Sequence, residues 1–210
     1  LISLQPRSAA AGGKSRDEVI SEAAADILSK LPKPFDVESI QMRYPVKYEQ
    51  SYNTVLVQEA VRYNRLLIVM RKALIDIGKA VKGLVVMSAD LDDMGTAIQN
   101  QKVPDMWAAK AYPSLKPLGA WVVELLDRLE FIKRWSEDGI PPSFWIGGFF
   151  FPQGFTTATL QNYARRHTIP IDSLSFDFEV LDIEDADSIE ERPSDGCYVH
   201  GLFLEGARFD

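Results

Sequence analysis

The chain has 210 residues, 46% hydrophobic and 25% charged, enough to bury one substantial core. Its net charge of −7 and pI near 5.0 argue against a nucleic-acid-binding role, which calls for a basic stripe or patch. The single cysteine, Cys197, excludes an internal disulfide, and no apolar run approaches the ~18 residues of a transmembrane helix.

Leu1 to Ser15 is rich in Ala, Gly and Ser, reads as a linker, and lacks the charged and apolar regions of a secretory signal. It starts without Met, and the sequence stops after a strand-like segment, so a piece of a longer protein is expected. Gly13-Lys14-Ser15 imitates the end of a phosphate-binding loop, but the position that needs the first glycine is Ser8. A helix is predicted from Ser15 or Asp17, with Val19, Ile20, Ala23, Ala24, Ile27, Leu28 and Leu31 on one face. Pro32 and Pro34 stop it. Phe35 to Gln50 reads as a connector with a short helical turn, held to a surface by Phe35, Ile40, Met42 and Tyr44.

Ser51 to about Ser88 is the longest periodic element. Val57, Ala60, Val61, Asn64, Leu67, Ile68, Arg71, Leu74, Ile75 and Ile77 fall near three-four spacing, a buried stripe interrupted by two polar residues. Ser51 or Asn53 is the expected cap, Gly78 and Gly83 weaken the far end, and Leu84 to Met87 is expected as a buried turn. A shorter helix over Asp90 to Asn100 turns Leu91, Met94 and Ile98 inward. Val103 to Pro117 is a loop with three prolines anchored by Met106, Trp107 and Tyr112. The next helix, capped by Ser114, runs to about Asp138. Leu118, Trp121, Val122, Leu125, Leu129, Ile132 and Trp135 form its apolar face, and Glu124, Asp127, Arg128 and Glu130 are expected on the polar one.

Ser143 to Asp172 is the packing centre of the molecule. Phe144, Trp145, Phe149, Phe150, Phe151 and Phe155 crowd around Gly147, Gly148, Pro152 and Gly154, and with Trp121 and Trp135 they bring the largest apolar areas available. A buried corner is the favoured reading; an aromatic ligand pocket or membrane wedge would need polar groups converging on it. A helix follows from Thr156 to His167. Then Ser173 to Leu181 alternates Leu174, Phe176, Phe178 and Val180 with polar residues, a half-buried strand. Asp182 to Glu191 is an acidic loop, Asp195-Gly196 a turn, and Cys197 to Glu205 a second strand, antiparallel to the first. The fold class is therefore α+β, a mainly helical bundle followed by an incomplete antiparallel β-barrel-like region.

Chemistry is sparse. The only histidines are His167 and His200, and no paired-cysteine, His-Glu-x-x-His or EF-hand spacing occurs. His167 closes Arg165-Arg166-His167 at a helix C-terminus, where positive groups satisfy the dipole. Cys197 reads as a buried thiol and the acidic run as a solvated loop, so no catalytic, cofactor-binding or metal-ligating residue is assigned.

Several long blocks in order carry a resemblance. TVLVQEAVRYNRLL (Thr54 to Leu67), KGLVVMSADLDDM (Lys82 to Met94), VPDMWAAKAYPSLKPLGAWV (Val103 to Val122), FWIGGFFFPQGF (Phe144 to Phe155), LQNYARRHTIPID (Leu160 to Asp172) and DGCYVHGLFLEGARFD (Asp195 to Asp210) resemble the C-terminal end of dynein heavy chains, of the axonemal type. The resemblance implies that 1–50 is the end of the sixth AAA+ module's small subdomain plus a connector. It implies that 51–172 is the helical part of the C-terminal domain and 173–210 the start of its β-barrel part. It further implies a non-catalytic structural and regulatory domain bracing a ring of AAA+ modules, in an ATP-driven, minus-end-directed microtubule motor of cilia and flagella. ATP and Mg would bind elsewhere in that heavy chain, with no cofactor in this segment. Implied partners are the ring modules, intermediate and light chains, and microtubules, with neither nucleic acid nor membrane. The alternative is an autonomous module for an apolar ligand or peptide, using residues 144–155 or the strand edge after Cys197; exposure of Phe149 to Phe155 would favour it.

Overall fold

Ser15 accepts a hydrogen bond from Glu18 N while the Glu18 carboxylate reaches back to Ser15 N, a capping box that starts helix α1 (Arg16–Lys30). The structure, a computed structural model, describes residues 14–201. Gly13 of the phosphate-loop imitation and residues 202–205 of the second expected strand lie outside that range. The remaining helices are α2 (Val37–Arg43), α3 (Ser51–Val81), α4 (Ala89–Gln99), α5 (Asp105–Ala108), α6 (Leu118–Asp138) and α7 (Pro152–His167).

The long α3 is the axis on which α1, α2, α4, α5, α6 and α7 all pack. Leu56, Ala60, Tyr63, Leu67, Met70, Leu74 and Ile77 recur at three-four spacing and are buried. Ile20, Ala24 and Ile27 of α1 join the same core, as do Met94 and Ile98 of α4 and Leu125, Leu129 and Ile132 of α6. The two polar interruptions of α3 act as staples. Asn64 accepts from Phe35 N at 2.7 Å and donates to Phe35 O at 2.8 Å. Arg71 donates to Leu31 O and Pro32 O, taking up carbonyls that the end of α1 leaves unpaired.

Several expectations are corrected. Ile68 and Ile75 of α3 face solvent, because the inner stripe runs one position away from them. Leu84 to Met87 is an exposed loop rather than a buried turn, and Met42 of α2 is exposed as well. Neither Ser51 nor Asn53 caps α3: Gln50 is the N-cap, and Ser51 N donates instead to Asn162 Oδ1 of α7 at 3.0 Å. At α6 the N-cap is Pro117 and not Ser114, and Arg128 is buried rather than on the solvated face.

The β region departs furthest. Ser173 to Leu181 forms no strand among the described residues, and Phe178 and Val180 are exposed. The expected antiparallel pair is replaced by a short parallel one, β1 (Ser143–Trp145) with β2 (Tyr198–His200), in register Phe144 to Val199. Parallel pairing needs a crossover, and α7 lies within it. The described residues thus form a helical domain with a two-stranded parallel sheet, and an antiparallel barrel is not supported.

Candidate functional site

The aromatic corner between α6 and α7 is held by polar groups as well as by rings. Trp135 of α6 meets Phe144 and Phe149 edge-to-face, with centroids 5.3 and 6.1 Å apart. Phe149 stacks on Phe155 at 4.5 Å, and Tyr52 of α3 stacks on Phe155 at 5.7 Å. Trp121 sits in a separate stack between Trp107 and Tyr112. Trp121, Trp135, Phe144, Phe149 and Phe155 are buried, whereas Trp145 and Phe150 are half-buried. Phe151 is 43% exposed, with the Arg62 guanidinium 4.6 Å above its ring.

The backbone from Gly148 to Phe151 crosses the face of α3 and brings its polar groups into the core. Glu59, 1% exposed, accepts from Phe151 N at 3.0 Å through one carboxylate oxygen and from Phe150 N through the other. One α-turn further on, Tyr63 Oη donates to Gly148 O at 2.8 Å. From α6, Arg128 Nη1 donates to Phe149 O at 3.1 Å, and its guanidinium lies 3.7 Å from the centre of the Tyr112 ring. Arg128 is itself paired with Glu124, whose other oxygen takes Lys116 at 2.6 Å. Buried backbone is tolerated only where its polar groups find partners, and three side chains provide them here.

The two glutamates titrate in opposite directions. Burial drives the Glu59 carboxyl above its ordinary range, only partly offset by the Phe150 and Phe151 N–H groups and by Arg62 and Arg128. Burial also acts on Glu124, but the bonds from Lys116 and Arg128 outweigh it and hold that carboxyl below its ordinary range.

Gly148 lies where a side chain has no room. A Cβ there would stand 2.7 Å from Phe131 Cδ1 and 2.8 Å from Trp145 Cε3, both ring atoms fixed by packing. Gly148→Ala is therefore expected to cost about 1–3 kcal/mol, read as a lower midpoint in urea unfolding with unchanged slope. Gly201 meets the same indole from the other side: its φ is +70°, and a Cβ would fall 2.6 Å from Trp145 Cδ1.

A strap over residues 190–201 then closes across α7. Arg166 donates to Ser194 O and pairs with Asp195 at 3.1 Å, His167 Nε2 lies 2.9 Å from Asp195 Oδ1, and His200 Nδ1 lies 2.8 Å from Ser143 Oγ. The strap borders a cleft of about 940 Å³ lined in part by Arg43, Gln50, Tyr52, Asn162, Arg165 and Cys197. Cys197 is half-buried with its thiol pKa pushed up by burial. The hydrogen bond from His167 holds Asp195 below the usual carboxylate range. Its contribution is thus complete above the unfolded-state pKa and is lost as pH falls through the folded one. Amide protection of the β1–β2 pair that the strap carries, taken relative to intrinsic exchange at each pH, should fall on acidification below that range, and Asp195→Asn should lower it at all pH values.

The protein belongs to the family of C-terminal domains of dynein heavy chains, whose model matches residues 1–210. Over all 210 residues it is 55% identical to dynein axonemal heavy chain 1 of Rattus norvegicus. Over 98% of its length it is 54% identical to dynein axonemal heavy chain 3 of Homo sapiens, and over 93% it is 50% identical to dynein axonemal heavy chain 12 of Mus musculus. It spans only 5% of the first two relatives and 6% of the third.

The resemblance carried by the sequence blocks therefore holds. The sequence pattern did not mark Glu59, Tyr63 and Arg128 as members of the corner. For Glu59 and Arg128 a signal existed: each falls on the inward spacing of its helix, Leu56-Glu59-Tyr63 and Leu125-Arg128-Ile132. A charge on an apolar face marks a buried partner rather than solvent.

Proposed function

We infer that this protein is the C-terminal structural and regulatory domain of an axonemal dynein heavy chain. The parent is an ATP-driven, minus-end-directed microtubule motor of cilia and flagella, with ATP and Mg bound elsewhere in it. In this reading 1–50 ends the small subdomain of the sixth AAA+ module and supplies a connector, 51–172 is the helical body, and 173–210 begins the segment beyond it. The domain braces the ring and sets how nucleotide-driven motion is transmitted, with intermediate and light chains as further partners of the motor.

The observation that carries the reading is the match to axonemal heavy chains along the whole sequence. Its physical support is the clasped corner, which ties α3, α6 and α7 into one body able to transmit force without deforming. Burial of Phe149 and Phe155 counts against an aromatic ligand pocket. Deleting the domain from an intact motor is expected to change ATPase rate, run length or stall force; three unchanged values would remove the regulatory role.

A further inference from the structure

The helix at the centre of the fold leaves one face open, and that face is patterned. Arg65, Ile68, Lys72, Ile75 and Lys79 are exposed along α3, and Lys82 continues the row at its end. They are separated by three, four, three, four and three residues, the spacing of a coiled-coil seam. Ile68 is 57% and Ile75 44% exposed. The loop beyond them adds Leu84 and Val86, 71% and 90% exposed.

Every charge on this row is positive, in a protein whose net charge is −7. Among the described residues none of the four cations takes part in an ion pair. The carboxylates nearest in sequence are buried Glu59, which is occupied by Phe150 N and Phe151 N, half-buried Asp76 at the edge of the row, and Asp90, Asp92 and Asp93 of α4. Asp92 is already paired with Arg16. From Arg65 to Lys82 the row extends about 26 Å, the length of a five-turn helix. It is a narrow seam, unlike the broad apolar face with which a helix enters a lipid surface.

We propose that this seam docks an acidic amphipathic α-helix belonging to the rest of the same heavy chain. Apolar residues of that helix pack on Ile68 and Ile75, and its carboxylates meet Arg65, Lys72, Lys79 and Lys82. The source follows from length: relatives of this protein are about twenty times longer, because it spans 5% of them. A covalently attached helix reaches the seam at an effective concentration that a separate polypeptide rarely matches. The proposal rests on the bracing role and names the surface through which it acts.

The test uses the intact heavy chain. Zero-length carbodiimide joins lysine amines to carboxylates in direct contact, and mass spectrometry identifies the pairs. Lys72 and Lys79 are expected to couple to one run of Asp and Glu at helical spacing, outside this domain but within the same polypeptide. Ile68→Asp with Ile75→Asp should lower those yields about tenfold by placing like charge opposite the acidic helix. Both positions are exposed, so the thermal unfolding of the domain should not move. Coupling of Lys72 and Lys79 only to another polypeptide would overturn the proposal, as would no coupling with both amines freely acylated. So would recovery of the heavy chain on phosphatidylserine vesicles through this face. Coupling within the same polypeptide alongside motility unchanged by domain deletion would keep the seam and remove the bracing role, so the two fail separately.

Discussion

Glu59→Ala is expected to lower the unfolding free energy by about 2–5 kcal/mol. The carboxylate receives two backbone N–H groups, from Phe150 and Phe151, in a place water does not reach. Truncation strands both donors, and each buried orphan costs about 1–3 kcal/mol. Part of that is returned because an unfavourably desolvated carboxyl disappears. Glu59→Gln should fall between, since an amide offers one acceptor oxygen where two donors need one each. The pH dependence separates the variants. The folded-state pKa of Glu59 is raised, so the folded form holds more protons between the unfolded and folded values. Stability therefore falls as pH rises through that window, and the slope is absent in Glu59→Gln. Urea unfolding across pH reads both quantities; equal midpoints for wild type and Glu59→Ala would rule out the clasp.

Trp135→Ala is expected to cost about 3–5 kcal/mol, and Phe149→Ala a similar amount. Trp135 is 1% exposed and touches Tyr52, Phe131, Phe144 and Phe149, so truncation opens a void whose lining is itself aromatic and cannot collapse. Its carbonyl also accepts from Tyr44 Oη at 3.1 Å, linking α2 to the end of α6. Trp145→Ala and Phe150→Ala should cost less, because both rings are half-buried and lose less apolar contact. Calorimetry on the four variants gives the order directly. A larger loss at Trp145 than at Trp135 would place the centre of the packing on the sheet instead of on α6.

The strap supplies a contrast in scale. Asp195 and its partners are largely exposed, so their bonds position the segment without adding much to global stability. Amide protection of the β1–β2 pair should thus respond to acid while the unfolding midpoint barely moves, whereas Glu59 governs the midpoint itself.

The helical frame follows from local signals along the amino-acid sequence. Capping at Ser15, proline stops after Leu31, and three-four spacing of apolar residues in α1, α3, α4 and α6 depend on contacts within a few residues. Such local preferences can be read along the sequence. The long ordered blocks were enough to indicate the family as well.

Tertiary structure alone decided the rest. Ile68 and Ile75 have the residue type of a core but face solvent, because α3 is apolar on more than one side and only its neighbours choose the buried stripe. The alternation over Ser173 to Leu181 is compatible with a strand, yet a strand exists only when another backbone pairs with it. The fold places Tyr198–His200 beside Ser143–Trp145 instead, in parallel, a choice that period-two patterning cannot make. Glu59 follows the same logic: its carboxylate is buried because N–H groups from 91 and 92 residues away arrive to meet it. A local pattern specifies which face a residue occupies, but the partner that stabilises a buried charge or a strand comes from a distant part of the sequence.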